Sequence, residues 1–174
     1  MRIYLTGFMG SGKSTIGTRL ARMLAVPFMD TDAWIEEAVG LRIPDYFARA
    51  GEAAFRYREA AALRATARHR HSVVATGGGM LVHPRRMQEA QQLGAVVYLR
   101  VDPDTLYERL APDAAHRPLL CDASGQPLSG QALQTHIAAL LDRRRAAYEQ
   151  APFHVDAGAA PNTVSQRIRT CLAV

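Results

Sequence analysis

The run Gly7-Phe8-Met9-Gly10-Ser11-Gly12-Lys13-Ser14 constrains this chain more than any other segment. It matches the pattern G-x-x-x-x-G-K-S in full. Before it, Arg2-Ile3-Tyr4-Leu5-Thr6 has the pattern of a short strand. After it, Ile16, Leu20, Met23 and Leu24 recur at helical spacing, so a helix opens near Lys13. Strand, glycine turn and helix N-terminus together aim main-chain N–H groups and the positive end of a helix dipole at one point, which suits an anion. Lys13 is also the only lysine in a chain with 21 Lys and Arg residues. An ammonium on a thin stem enters a narrow turn of amides and bridges phosphate oxygens, where a planar guanidinium is too wide. The Ser14 hydroxyl is placed for the magnesium ion that accompanies a nucleotide.

The rest of the composition narrows the function class. A length of 174 residues predicts one domain with a substantial core. The net charge of +5 is spread along the chain, with Arg143-Arg144-Arg145 the only short basic run, and fits a site for small polyanions. Aromatic residues are dispersed and make up 7% of the chain, too few for a base-stacking surface, so no nucleic-acid partner is expected. A GTP-dependent switch would need Asn-Lys-x-Asp, and the single asparagine, Asn162, lies far from the single lysine. Cys121 and Cys171 are far apart and fit no C-x-x-C or zinc spacing, and no histidine pair has the H-E-x-x-H spacing. No apolar run approaches the ~20 residues of a membrane span. The strand pattern begins directly after Met1, where a signal peptide would lie. A cytoplasmic monomer is the expectation, since no apolar stripe is left over for a partner.

Strand patterns at 2–6, 28–30, 73–76, 95–100 and 153–156 alternate with helical patterns near 14–24, 32–39, 51–67, 84–93, 103–110 and 130–149. Asp102-Pro103 marks one helix start as a cap followed by proline. Such alternation with short connections predicts a parallel sheet covered on both faces, with ligands bound beyond the strand C-termini. Segment 111–130 has neither period and is rich in Pro, Gly, Asp and Ser, which predicts a mobile lid.

Several residues beyond strand ends carry chemistry. Asp30 and Asp32 flank one threonine. If Asp30 faces the phosphate loop, its carboxylate can hold a magnesium-bound water, and Asp32 can face an acceptor. Asp32 also reads as a helix N-cap. Asp30 gains weight because the third strand ends in glycine, whereas phosphate-loop proteins commonly place a second magnesium carboxylate at such a strand end. Gly77-Gly78-Gly79 costs backbone entropy and packs nothing, so close approach of a ligand is the expected return. Arg56 and Glu59 lie one helical turn apart, either as a solvated pair or with Glu59 orienting Arg56. Ile137, Leu141, Arg144 and Tyr148 form one helix stripe, and an arginine on an apolar stripe needs an anion, either an internal carboxylate or a bound ligand. Arg117, in Arg117-Pro118-Leu119-Leu120, is a cation on the lid segment, suited to a transferring phosphate.

Together these residues resemble the shikimate kinase family, and the resemblance spans nearly the whole chain. It rests on Leu5 through Thr15, Phe28-Met29-Asp30-Thr31-Asp32, Phe47 through Gly51-Glu52 to Phe55-Arg56 with Glu59, the triple glycine, Arg117-Pro118-Leu119-Leu120, and Arg144 spaced from Tyr148. The resemblance implies an α/β fold of the P-loop NTPase type, three layers with a five-stranded parallel sheet. One nucleoside-monophosphate-kinase-like domain would carry a small helical substrate-binding subdomain (31–62) and a mobile lid (111–130). It implies transfer of the ATP γ-phosphoryl group to the 3-hydroxyl of shikimate in aromatic amino acid biosynthesis, with Mg2+. Gly10, Ser11, Gly12, Lys13, Ser14 and Thr15 would bind the ATP phosphates, with Ser14 and Asp30 on the metal. Asp32 would hold the acceptor hydroxyls and accept a proton. Arg56 and Arg144 would grip the carboxylate beside Gly77, Gly78 and Gly79. Lys13, Asp32 and Arg117 would be the catalytic set, and Arg109 would lie near the adenine. The stretch from Arg109 to Arg117 is slightly longer than the family pattern. The loop after Asp156, often basic in the family, reads Ala157-Gly158-Ala159-Ala160-Pro161. Another small-metabolite kinase, acting on gluconate or a nucleotide, is the alternative.

Overall fold

The computed structural model describes residues 1–122 and 124–174; Ala123, inside the expected lid, lies outside the described residues. The strands are β1 (Arg2–Thr6), β2 (Phe28–Asp30), β3 (Ser72–Ala75), β4 (Ala95–Arg100) and β5 (Phe153–Asp156). All neighbours pair in parallel, in the order β2-β3-β1-β4-β5. The helices are α1 (Lys13–Leu24), α2 (Thr31–Val39), α3 (Ile43–Ala65), α4 (Pro84–Leu93), α5 (Pro103–Leu110), α6 (Gly130–Tyr148) and α7 (Pro161–Leu172).

Parallel strands need covered faces because both sides lose water, and Ile3, Tyr4, Leu5, Val73, Val74, Val96 and Val97 are all buried. The two faces separate at β1. Leu5 points to α1, where it approaches Gly17. Tyr4 points the other way, and its phenol bonds to Thr66 Oγ1 just after α3 at 2.6 Å. Successive strand residues face opposite sides, so α1 and α3 cover opposite faces. The α1 face also holds α7, whose Val164, Ser165 and Ile168 are buried.

Register brings the strand ends level. Asp30 pairs with Ala75, and Ala75 with Leu5. The residues after each strand therefore emerge along one edge. The chain leaves β1 toward β2 but leaves β4 toward β5, so the connections diverge above the C-terminal end of β1, where a crevice opens.

The structure departs from the sequence-based expectation at several elements. Helix α7 is absent from that expectation, which treated the stretch after Asp156 as a loop; its apolar stripe is only Val164, Ile168 and Leu172. Helix α3 begins at Ile43, not near residue 51. Gly51, at φ 79° and ψ 174°, kinks it and splits its period into two short runs. Segment 111–130 contains two short 3-10 turns, Ala111–His116 and Pro118–Leu120, and a bridge between Cys121 and Pro127. Ala114 and Leu120 anchor it in the core.

Helix α1 approaches the sheet closely because position 17 has no side chain. A Cβ there would stand 2.5 Å from Phe28 Cε2 and 3.3 Å from Leu5 Cδ1. Gly17→Val should lower stability by about 1–3 kcal/mol through overpacking. Urea unfolding reads this as a lower midpoint with an unchanged slope; a wild-type midpoint would contradict this packing.

Candidate functional site

The loop between β1 and α1 bends through Gly10 (φ 75°) and Gly12 (φ 89°), left-handed conformations that L side chains rarely adopt. The first i→i−4 bond of α1 runs from Ile16 N to Gly12 O at 2.8 Å, and no side chain caps the helix. The N–H groups of Lys13, Ser14 and Thr15 therefore have no partner within the helix. Lys13 folds back over the loop, and its Nζ donates to Gly7 O (2.9 Å) and Phe8 O (2.8 Å). Burial pulls the Lys13 ammonium down to about 8, against the pull of Asp32 and Asp30, while Arg117 and Arg144 push it the same way as burial. Two guanidinium groups thus stand near the lysine, an arrangement that favours a polyanion between them.

Asp30 divides its two oxygens. Oδ1 accepts from the Asp32 and Ala33 amides at 3.0 and 3.4 Å, so Asp30 is the N-cap of α2. The cap expected at Asp32 belongs instead to Asp30. Its Oδ2 accepts the Ser14 hydroxyl at 2.6 Å. Among the described residues no three His, Cys, Asp or Glu side chains converge as a metal cage. A hydroxyl beside one carboxylate is the donor set that suits Mg2+, which keeps waters and takes phosphate oxygens as ligands.

Asp32, freed from capping, projects toward the glycine run after β3. Burial, then the neighbouring Asp30 charge, raises its carboxyl to about 6; Lys13 opposes the rise. The loop at 77–79 holds the site together. Thr31, fully buried, accepts the Gly77 amide on Oγ1 at 2.9 Å. A methyl at Gly77 would overlap Asp32 Oδ1. A methyl at Gly78 would meet the Met9 amide at 3.5 Å, and one at Gly79 would meet Arg56 Nη1 at 3.6 Å. None of these three glycines has a positive φ; at Gly77 space and not backbone freedom requires glycine, whereas the neighbours of Gly78 and Gly79 stand at ordinary contact distance. Tyr148 donates to Gly78 O at 2.5 Å, and burial pushes its phenol up to about 12, so it stays a neutral donor. The nearby Arg144 charge opposes that rise.

Both arginines expected to hold an acid adjoin this loop or its phenol. Arg56 bonds to Glu59 at 2.8 Å and Glu52 at 3.1 Å. Glu59 is 1% exposed, so the pair is not the solvated one that spacing alone allowed. Burial lowers the Arg56 guanidinium's affinity for its proton, and the two glutamates more than offset that. Arg144 has no carboxylate within ion-pair distance among the described residues; its guanidinium stands 5.9 Å above the Phe8 ring. Of the two readings of Arg144, the internal carboxylate is not found.

Gly10, Gly12, Lys13, Ser14, Thr15, Asp30, Asp32, Gly78, Arg109 and Arg117 line one cleft of about 540 Å³. Ser11 is buried beneath it. Arg109 donates to Gly10 O, Ala157 O and Gly158 O, tying the loop after β5 to the phosphate loop. Arg117 pairs with Asp113 at 3.3 Å, and its Nε is buried with no acceptor among the described residues. Sequence reasoning missed Thr31 as an anchor and Arg86, which packs on Glu59 and Arg56. Arg86 had one signal, a cation in the first turn of a helix, where the dipole disfavours it.

A family model described as shikimate kinase matches residues 9–173. The shikimate kinase of Salinibacter ruber is 45% identical over 168 residues, which span 97% of this chain and 82% of that protein. The solved shikimate kinase of Bacteroides thetaiotaomicron superposes with a TM-score of 0.87 at 33% identity, covering 100% of this chain and 99% of that one. The Acinetobacter baumannii shikimate kinase, solved in complex with shikimate, gives 0.85 at 31% identity, over 99% and 93% of the two chains.

The raised carboxyl at Asp32 has a measurable cost. Between the ordinary value of 3.8 and the folded value of about 6, the folded state holds the extra proton. Stability is therefore lost as pH rises through that window, and the whole penalty is present at neutral pH. Asp32→Asn should be more stable than wild type at pH 7.5 by about 1–3 kcal/mol. The gain should shrink on acidification and vanish below about pH 4. Thermal melts across pH measure it, and a variant no more stable at pH 7.5 would contradict the buried-carboxylate reading.

Proposed function

The chain belongs to the shikimate kinase family, and from that membership we propose that its cleft transfers the γ-phosphoryl group of ATP to the 3-hydroxyl of shikimate, giving shikimate 3-phosphate and ADP in aromatic amino acid biosynthesis. The observation that carries the acceptor assignment is Arg144. It is a part-buried guanidinium with no carboxylate at ion-pair distance among the described residues, near Tyr148, which bonds the glycine loop that Asp32 and Arg56 also approach. A small ring acid with several hydroxyls satisfies all three groups at once.

The amides of residues 10–15 and Lys13 hold the triphosphate; Nζ exchanges the Gly7 and Phe8 carbonyls for phosphate oxygens. Ser14 and, through water, Asp30 would hold Mg2+, which neutralises charge on the β- and γ-phosphates when bound. Arg56 and Arg144 grip the acceptor carboxylate with fixed forks, which sets the ring's orientation. Asp32 hydrogen-bonds the attacking hydroxyl. At neutral pH its carboxyl, with a pKa of about 6, is mostly ionised and takes the proton late in the transfer. The transition state of phosphoryl transfer is loose, so in-line positioning and charge stabilisation by Lys13 and Arg117 carry most of the catalysis. Segment 111–130 acts as the lid, bringing Arg117 over the phosphates and excluding water as a competing acceptor. Residues 31–62 form the acceptor-binding subdomain. Arg109 shapes the nucleoside end, where backbone of residues 157–158 replaces the basic loop common in the family.

A coupled assay of ADP release tests this directly. Release should depend on shikimate, and gluconate at equal concentration should leave the rate at its acceptor-free level. Arg56→Ala and Arg144→Ala should each raise the shikimate KM at least about tenfold with the ATP KM unchanged. Acceptor-independent release at the full rate, or an unchanged shikimate KM in both variants, would contradict the assignment.

A further inference from the structure

We propose that Arg86, at the start of α4, is a positioning residue for acceptor recognition: by sharing Glu59 with Arg56 it leaves positive charge on Arg56 for the acceptor's carboxylate. The proposal rests on the reading that Arg56 grips that carboxylate.

Charge counting around Arg56 motivates it. Arg56 carries one positive charge and bonds to two carboxylates, Glu52 at 3.1 Å and Glu59 at 2.8 Å. Those three groups alone sum to one negative charge, which repels an acid. Glu52 is exposed, and solvent screens it; Glu59 is buried, and nothing but protein screens it. Arg86 reaches the same Glu59 oxygen that Arg56 uses, with Nη1 3.5 Å from Oε2. With Arg86 included, the buried Glu59 is shared by two cations, so one positive charge remains around it.

The side chain is built in at a cost. Arg86 is 12% exposed, and its Nε and Nη1 have no hydrogen-bond acceptor among the described residues. Its one bond runs from Nη2 to the Arg56 carbonyl at 2.8 Å, which places the cation directly under the residue it serves. A buried cation with two unused donors, in the first turn of a helix whose dipole opposes it, is expensive as a purely structural strut. A methionine would fill the space more cheaply.

The competing role is mechanical, with Arg86 merely pinning α3 to α4 through the Arg56 carbonyl. Arg86→Gln keeps a donor and loses the charge; Arg86→Lys keeps the charge. The charge role predicts that Arg86→Gln raises the shikimate KM about five- to tenfold, with kcat and the ATP KM within about twofold, and that Arg86→Lys stays near wild type. It also predicts that an acceptor analogue with the carboxylate reduced to an alcohol is used equally by wild type and Arg86→Gln. An unchanged shikimate KM in Arg86→Gln, an equal rise in both variants, a parallel rise in the ATP KM, or an equal loss on the reduced analogue would overturn it. So would failure of Arg86→Gln and Arg86→Met to fold where Arg86→Lys folds, since that assigns the residue to stability. Wild-type turnover of shikimate separates the two readings: without it the acceptor assignment fails and this role with it, whereas turnover with an insensitive Arg86→Gln removes only the role of Arg86.

Discussion

Gly77 lets Asp32 approach the end of β3 more closely than a side chain there permits, and Gly78 and Gly79 beside it carry two further contacts. Asp32 comes in over Gly77, the phosphate loop over Gly78, and Arg56 over Gly79. Thr31 and Tyr148 then fix the loop from two sides, one at its first amide and one at its middle carbonyl. The register of β1, β2 and β3 makes this possible, because Leu5, Ala75 and Asp30 end level. The phosphate loop thus meets Gly78 main chain against main chain, while the Asp32 and Arg56 side chains reach Gly77 and Gly79. Such contacts leave little freedom to drift, as in-line transfer requires.

The site is electrostatically costly. A lysine with its pKa depressed to about 8, a carboxyl raised to about 6, and buried nitrogens on Arg86 and Arg117 without acceptors among the described residues all lie within it or against it. Each group would be cheaper replaced by an apolar one. The continuous core under the sheet carries these costs, and Phe8, Ile35, Leu63 and Met80 support the site's loops and helices from that core. Strain gathered at the site and consistency elsewhere is the pattern expected of a functional cleft.

Much of this was legible in the residues themselves. The phosphate loop announces itself because its conformation demands glycine at fixed positions and its chemistry demands one lysine. Strand patterns lie within a residue of the observed strands, and for the central β1, β3 and β4 the reason is that buried parallel strands read as largely apolar runs. Helix α7 was illegible because three apolar positions do not make a convincing stripe, and α3 was split by Gly51. Within the site, Asp30 and Asp32 were both singled out, but which one caps α2 depends on the turn of the backbone at Asp30. Arg86 was hidden because its partners lie a helix away. Burial turned the Arg56–Glu59 pair from an ordinary surface motif into an electrostatic problem that needs a third member.

Close approach at Gly77 sets the position of Asp32. Gly77→Ala tests it most directly, because Gly77 lacks a positive φ and alanine strains nothing but the contact with Asp32. The variant should fold, bind ATP with Mg2+ like the wild type, and lose shikimate turnover by about 100-fold, as expected when a general base is displaced. Turnover within threefold of wild type, in a folded variant that binds ATP normally, would contradict it.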